Sequence, residues 1–347
     1  MVATYETKTD YKVVGKTPIR HDALEKVTGR AVYGGDVKAP GLIWGDVVRS
    51  PHSHARIKSI DTSEALKLEG VFAVLTHDDF PIAEEREFES GEDVVNLKRD
   101  QANVMANDKV HYKGHVVAAV AAVDRNTAEE AASRIKVEYD VLQNVSDVDS
   151  AMSDDAPIIL ENLVGDHLGE DVPNTNIAKI FRYEFGNLDD AFNNSDLVVE
   201  RTVTMSMIHQ GYIEPHNATA IWAEDGQITV WSSTQGSFGV RSQTAGMVGV
   251  AESKVKVNYV EIGGGFGGKT KVYLAPIAAL LSKKSGGRPV KLVMDRTSVF
   301  EATGPAPGGK IRMKIGVNKD GKITAADTDI MFESGGYPGS AVSAAAN

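Results

Sequence analysis

The sequence contains no cysteine. That excludes disulfides, thiolate zinc sites, a cysteine nucleophile and iron–sulfur ligation within the chain, so any redox cluster has to sit on a partner. No apolar run reaches the length needed to span a bilayer, and the leader MVATYETKTDYKVVGK has no apolar segment of the signal-peptide kind. Both absences predict a cytoplasmic protein with no membrane association. Positive charge is in deficit: the net charge of −11 argues against a nucleic-acid surface. No internal repeat is visible. What remains is the composition of a globular protein, and 347 residues exceed one ordinary core, which predicts two or three domains.

Local patterns predict an α+β protein. LIWGDVVRS, ARIKSID and VFAVL read as strands, and TSEALKLEG reads as a short capped helix. The charged stretch from Glu84 to Asp108, which includes EEREFESGED, reads as a solvated loop. VHYKGHVVAAVAAVD is an apolar strand, followed by an amphipathic helix whose start is assigned to a Thr127-x-x-Glu130 capping box. These elements predict an N-terminal domain over residues 14–148 that folds independently. Residues 149–176 are acidic and turn-rich and predict an extended connector. A second domain over 177–347 begins with LVVERTVTMSMIHQ and the pair NATAIWAEDGQITVWSS. It continues through KVKVNYVEI, a glycine loop, a helix and RPVKLVMD, and then GKIRMKIGV and ITAADTDIMF around an NKDGK hairpin turn. The end, GGYPGSAVSAAAN, trails off in small residues and reads as an interrupted domain with an uncovered apolar face.

The loop Gly263–Thr270, GGGFGGKT, satisfies the phosphate-loop pattern G-x-x-x-x-G-K-[ST], and VKLVMD could supply the Mg²⁺-holding Asp295. A P-loop NTPase is therefore one expectation. The architecture opposes it, because the chain returns to hairpin strands after one helix. A dinucleotide fingerprint fails sooner, since the acidic residue expected about 20 residues on is replaced by the helix tail LSKKSGGR. So many glycines at a strand–helix junction nevertheless mark a ligand site. His209, Glu214 and His216 match no zinc spacing and predict a buried hydrogen-bond network under the site. His52 and His54 predict loop packing.

GGGFGGK resembles the loop of the molybdenum hydroxylases, the family of xanthine dehydrogenase, aldehyde oxidase and aerobic carbon monoxide dehydrogenase. GKTPIRHDALEKVTGRAVYGGDV, SPHSHARIKSID, IKVEYDVL, HQGYIEPHNATAIW, WSSTQGSF and ESGGYPGS resemble further segments of that family's large subunit, in family order from about Val14 onward. The resemblance implies an α/β hammerhead domain followed by the first part of a molybdopterin-binding domain. It implies a molybdenum-dependent hydroxylase that oxidises a small organic substrate, or carbon monoxide, with water-derived oxygen. The implied cofactor is molybdopterin with molybdenum, in the cytosine dinucleotide form, held through its own dithiolene with no protein metal ligand. Gln235, Gly264, Gly265, Phe266, Gly267 and Gly268 are the implied cofactor-binding residues: the glycines admit close main-chain approach, Phe266 faces the metal's oxo side, and Gln235 donates to an oxo ligand. Lys269 supports the loop rather than a phosphate.

The implied partners are an iron–sulfur subunit with a 2Fe–2S centre, an FAD subunit and a C-terminal half of the molybdopterin subunit. Purine-oxidising members carry a glutamate where this chain has Thr270, which argues against a purine. The general base and the substrate-facing arginine belong to the family's later half, so no catalytic residue is assigned here. A non-catalytic fragment or scaffold of the large subunit is the remaining alternative.

Overall fold

The computed structural model describes residues 11–83, 87–90 and 93–338. Its centre is a seven-stranded sheet. Across it run Val255–Asn258, Ile228–Ser232, Asn217–Trp222, Val290–Val293, Ile43–Arg49, Val116–Ala122 and Val71–Leu75. VVAAVAA at 116–122 is buried at every position, as a strand covered on both faces must be. The second-half strand Val290–Val293 pairs in parallel with the N-terminal strand Ile43–Arg49, with Ile43 opposite Val290.

The sheet therefore runs through the expected domain boundary. Three of its strands come from the segment expected to fold alone, and four come from the segment after it. The helix Ala275–Lys284 buries eight of its ten residues, six of them in one cluster with Ile43, Leu75, Ala119, Ala121 and Leu292. Taken alone, the N-terminal segment would lose its sheet neighbour at Ile43 and its helical cover from Ala275–Lys284. The helix Arg125–Arg134 covers the other face through Ala128, Ala131 and Ala132.

Other local expectations need correction. The helix Arg125–Arg134 is capped by Asp124, whose side chain accepts from Thr127 N at 2.8 Å; Thr127 and Glu130 lie inside the helix. The earlier carboxylate took the cap because its extended backbone aims it at the first free N–H groups. The expected loop 84–108 contains a hairpin, Glu87–Ser90 with Asp93–Asn96, and a helix, Leu97–Val104, capped by Asn96. The expected connector holds the strands Val164–His167 and Glu170–Pro173, which form a small sheet with Lys179–Ile180 just beyond it. Its order comes from Asn176, which donates to Ala151 O and Pro157 O and accepts from Ile159 N.

A three-stranded ribbon stands apart from the main sheet: Leu197–Met205, Gly309–Val317 and Ile323–Phe332. The expected NKDGK turn closes it, with Gly321 at φ 78° and Asn318 N bonded to Lys322 O. Beyond the ribbon, Tyr337 docks on the N-terminal part, where its hydroxyl lies 3.0 Å from His111 Nδ1 and its ring meets His115 edge-on. Among the described residues no helix is long and apolar enough to cross a membrane.

Candidate functional site

The segment HQGYIEPH (209–216) and the loop Gly263–Thr270 meet at the end of the main sheet, and two side chains lock the loop. Glu214 Oε2 accepts from Gly263 N at 2.8 Å and from Lys269 Nζ at 2.7 Å, so one carboxylate ties both ends of the glycine run. Its Oε1 accepts from Asn217 Nδ2 at 3.1 Å. From the opposite side, Gln235 Oε1 accepts from Gly267 N at 2.9 Å and Lys269 N at 3.2 Å, while Gln235 N donates to Lys269 O. Gln235 lies between the strand that stops at Ser232 and the helix Ser237–Met247.

Lys269 is fully buried and Glu214 is 10% exposed. Burial pushes the ammonium below its ordinary value, and the hydrogen bond it donates to Glu214 opposes that shift. The Tyr212 ring lies 4.8 Å from Nζ. This geometry overturns the phosphate-loop alternative. The lysine that would reach a phosphate points inward to a carboxylate, and Thr270 Oγ1 donates to Gly267 O within the loop. Asp295 caps the helix Arg296–Ala302 through Ser298 N at 2.6 Å, and the helix that follows the loop starts only at Ala275.

Behind the loop lies the expected network. The Tyr212 hydroxyl is 2.6 Å from His216 Nε2 and 3.1 Å from Thr303 Oγ1, and His209 Nε2 is 2.8 Å from the same Thr303 oxygen. Thr303 Oγ1 donates to Val299 O, so it accepts from His209, whose Nδ1 takes the Gly211 N–H. Burial, reinforced by Lys269 and His209, pulls His216 down to about 3, which keeps it neutral. Among the described residues no cluster of metal-ligating side chains occurs. Arg296, which the sequence did not single out, donates to Tyr212 O and Ile213 O and fixes the segment that presents Glu214. Its only signal was a position just after an apolar strand.

The glycines divide by role. A Cβ on Gly265 would lie 2.4 Å from Gln235 Oε1, and one on Gly268 would lie 2.8 Å from the Tyr212 ring. Their close approach is thus to the protein's own side chains, whereas the sequence suggested an approach to a ligand. Gly264 (φ 94°), Phe266 (φ 51°) and Gly267 (φ 88°) supply the left-handed turns, and only Gly267 has open space at its Cβ position. Among the described residues the N–H groups of Gly264, Gly265 and Phe266 find no acceptor, and Gln235 Nε2 finds no partner. Phe266 is 75% exposed at the tip. Successive free N–H groups in such alternating turns form an oxyanion cradle. This donor set fits an anionic, acceptor-rich molybdenum–pterin group and supplies no direct metal ligand.

Comparison with known proteins follows the same line. The family description "Molybdopterin cofactor-binding domain" matches residues 168–347, and "Aldehyde oxidase and xanthine dehydrogenase, a/b hammerhead domain" matches 28–143. The nicotinate dehydrogenase large molybdopterin subunit of Eubacterium barkeri is 32% identical over 328 residues, covering 94% of this chain and 72% of that subunit. The carbon monoxide dehydrogenase large chain of Afipia carboxidovorans is 33% identical over 92% of this chain, which spans only 39% of its length. The structure of reconstituted CO dehydrogenase from Oligotropha carboxidovorans superposes with a TM-score of 0.77 at 32% identity, covering 91% of this chain and 39% of that one.

Proposed function

The chain belongs to the xanthine dehydrogenase and aldehyde oxidase family of molybdopterin-binding subunits, and from that premise we propose that it forms the cofactor-receiving part of a molybdenum hydroxylase. The observation that carries this reading is the set of uncommitted donors on the loop. The N–H groups of Gly264, Gly265 and Phe266, with Gln235 Nε2, find no acceptor among the described residues, while Glu214 and the Gln235 oxygen anchor the loop through Gly263, Gly267 and Lys269. When bound, a molybdenum–pterin group would supply two-electron oxidation of a small organic substrate, or of carbon monoxide, with oxygen from water.

The chain's own residues bind and orient. The three N–H groups donate to the anionic group, and Gln235 donates through its amide nitrogen because its oxygen is committed to Gly267 and Lys269. Glu214 and Lys269 hold the two ends of the loop so that these donors keep their directions without reorganising, which is how preorganised dipoles act. The open space at the Gly267 Cβ position would leave room for the group, and the exposed Phe266 ring would be available to pack against it. None of the titratable groups at the loop is free to act as general base. Glu214 is ion-paired, and His216 is buried and neutral. That base therefore comes from a complementary part of the subunit, along with the substrate-facing residues.

The same reading gives the chain an iron–sulfur and an FAD partner, a cytosine-dinucleotide form of the pterin, and a cytoplasmic location. Thr270, turned back onto Gly267 O, offers no carboxylate to a purine, so a non-purine substrate is favoured. The test is metal loading. The chain, co-expressed with cofactor-synthesis genes and a complementary molybdopterin chain, should purify with molybdenum and release a fluorescent oxidised pterin. Gln235→Ala should lower both contents. A properly folded complex without either would refute the reading.

A further inference from the structure

The parallel strands Ile43–Arg49 and Val290–Val293 stay paired only at Ile43 with Val290 and at Trp44 with Lys291. Beyond that point each keeps its outer neighbour, Val116–Ala122 on one side and Asn217–Trp222 on the other, and the two strands part. A cavity of about 130 Å³ opens between them, lined by residues of both. In open sheets, the crevice at the carboxyl ends of parallel strands is where ligands are held. This one shares no residue with the glycine loop or with the Glu214–Lys269 pair.

Arg49 lines the cavity with half of its donors unused. Its Nη1 donates to Gly114 O at 2.9 Å, whereas Nε and Nη2 are buried and have no hydrogen-bond partner among the described residues. Those two nitrogens form one edge of the guanidinium, the fork that takes both oxygens of a carboxylate. Asp46 lines the same cavity from the opposite face of the sheet. It pairs with Val120, in the cluster under the helix Arg125–Arg134, while Arg49 pairs with Val116, in the cluster under Ala275–Lys284. Burial pushes the Asp46 carboxyl above its ordinary value, and the adjacent Val47 N–H opposes that shift. The other charges of the lining are matched: Arg125 pairs with Glu129 at 2.8 Å, and Asp295 accepts from Ser298 N at 2.6 Å.

Charge and size narrow the occupant. The lining carries three carboxylates, Asp46, Glu129 and Asp295, against the two guanidinium groups of Arg49 and Arg125. A bare anion would add to that excess in a buried site, where uncompensated charge is costly; a zwitterion adds none. The volume is roughly that of four waters, which suits a molecule of about five or six heavy atoms. Trp44, Leu274 and Leu292 complete the wall and give a methyl group an apolar side to rest on.

We propose that this cavity binds a small α-amino acid, of the size of glycine or alanine, whose carboxylate takes the Arg49 fork and whose ammonium donates to Asp46. Binding satisfies the two groups that the fold leaves unmatched and brings no net charge inside. The site is independent of the cofactor-receiving reading, since none of its residues belongs to the glycine loop.

The test is equilibrium dialysis of the 347-residue chain against radiolabelled glycine and L-alanine, with acetate, methylammonium and L-phenylalanine as competitors. Either amino acid should bind saturably at one equivalent per chain. Acetate and methylammonium, each carrying half of the zwitterion, should compete at least tenfold more weakly, and phenylalanine, too large for the cavity, should not compete. Arg49→Lys keeps the charge and removes the fork; Asp46→Asn keeps the shape and removes the charge. Each should weaken binding at least tenfold, the loss expected of a charge-assisted hydrogen bond. Asp46→Asn removes a buried carboxylate and should keep the parent's urea midpoint, so it carries the test even where Arg49→Lys fails to fold. No saturable binding of either amino acid would overturn the proposal, because the cavity would then hold water only. Acetate binding as tightly as glycine, or glycine affinity unchanged in Asp46→Asn, would overturn it too.

Discussion

Glu214→Gln tests whether one ion pair holds the glycine loop. The substitution keeps the shape of the side chain and leaves the Lys269 ammonium in a site with no solvent exposure, where the Tyr212 ring 4.8 Å away is the main compensation. Breaking a buried pair from one side costs about 3–5 kcal/mol, since the surviving charge is left uncompensated. The lysine sets an upper limit, because it can shed its proton. Against an unfolded value near 10.5, deprotonation at pH 7 costs about 1.4 kcal/mol for each of roughly 3.5 pH units, or about 5 kcal/mol. At pH 9 the same limit falls to about 2 kcal/mol. The sign follows from a lysine depressed in the folded state: the penalty is full at low pH and is relieved as pH rises toward the unfolded value. Urea unfolding followed by tryptophan fluorescence reads this directly, because Trp44, Trp222 and Trp231 all lie in the seven-stranded sheet. Lys269→Met should also destabilise. The double variant Glu214→Gln/Lys269→Met should lose several kcal/mol less than the sum of the singles. A Glu214→Gln loss below about 1 kcal/mol, or one equal at pH 7 and pH 9, would refute the argument.

Mg-ATP should not bind, because the lysine it needs is sequestered; micromolar affinity by titration calorimetry, abolished by Lys269→Ala, would contradict the geometry. Acid should destabilise the fold through His111 and His115, which burial pulls down to about 4 and about 3 from an ordinary value near 6.5. Below pH 6.5 the unfolded chain takes up protons that the folded one refuses, so each histidine removes about 1.4 kcal/mol per pH unit until its folded value is reached. A His115→Gln variant should show a shallower fall in urea midpoint between pH 6.5 and 4, and an unchanged slope would count against the assignment. Proteolysis within residues 150–176 should leave two pieces that co-elute under native conditions and separate only in denaturant; release of a stable N-terminal fragment would show that the shared sheet is dispensable.

Local signals in the sequence were read well where the physics is local. The run VVAAVAA, the alternation in GKIRMKIGV and the turn residues of NKDGK each specify an element through neighbours a few positions away. Long-range arrangement was not legible. Nothing in IWGDVVR says that its parallel partner is VKLV, about 245 residues later, so the chain looked like separable domains. The site shows the same limit. Gln235, the glycines and a supporting role for Lys269 stood out from the motif. That Gly268 is small for the sake of Tyr212, and that Arg296 braces the segment carrying Glu214, depends on contacts between residues tens of positions apart. The helix cap falls on Asp124, three residues ahead of the Thr127-x-x-Glu130 pattern, because backbone geometry decides which polar side chain meets the free N–H groups.

The parallel pair between Ile43–Arg49 and Val290–Val293 also sets an order of events during synthesis. Ile43–Arg49 finds its antiparallel neighbour once Val116–Ala122 has emerged, but its other edge waits for a strand roughly 170 residues further on. At ribosomal speeds of about 5–20 residues per second, that edge stays open for roughly 10–35 seconds. Throughout that interval the nascent chain presents Ile43 and Trp44 beside unpaired backbone groups, a surface on which chaperones or other nascent chains can act before the sheet closes.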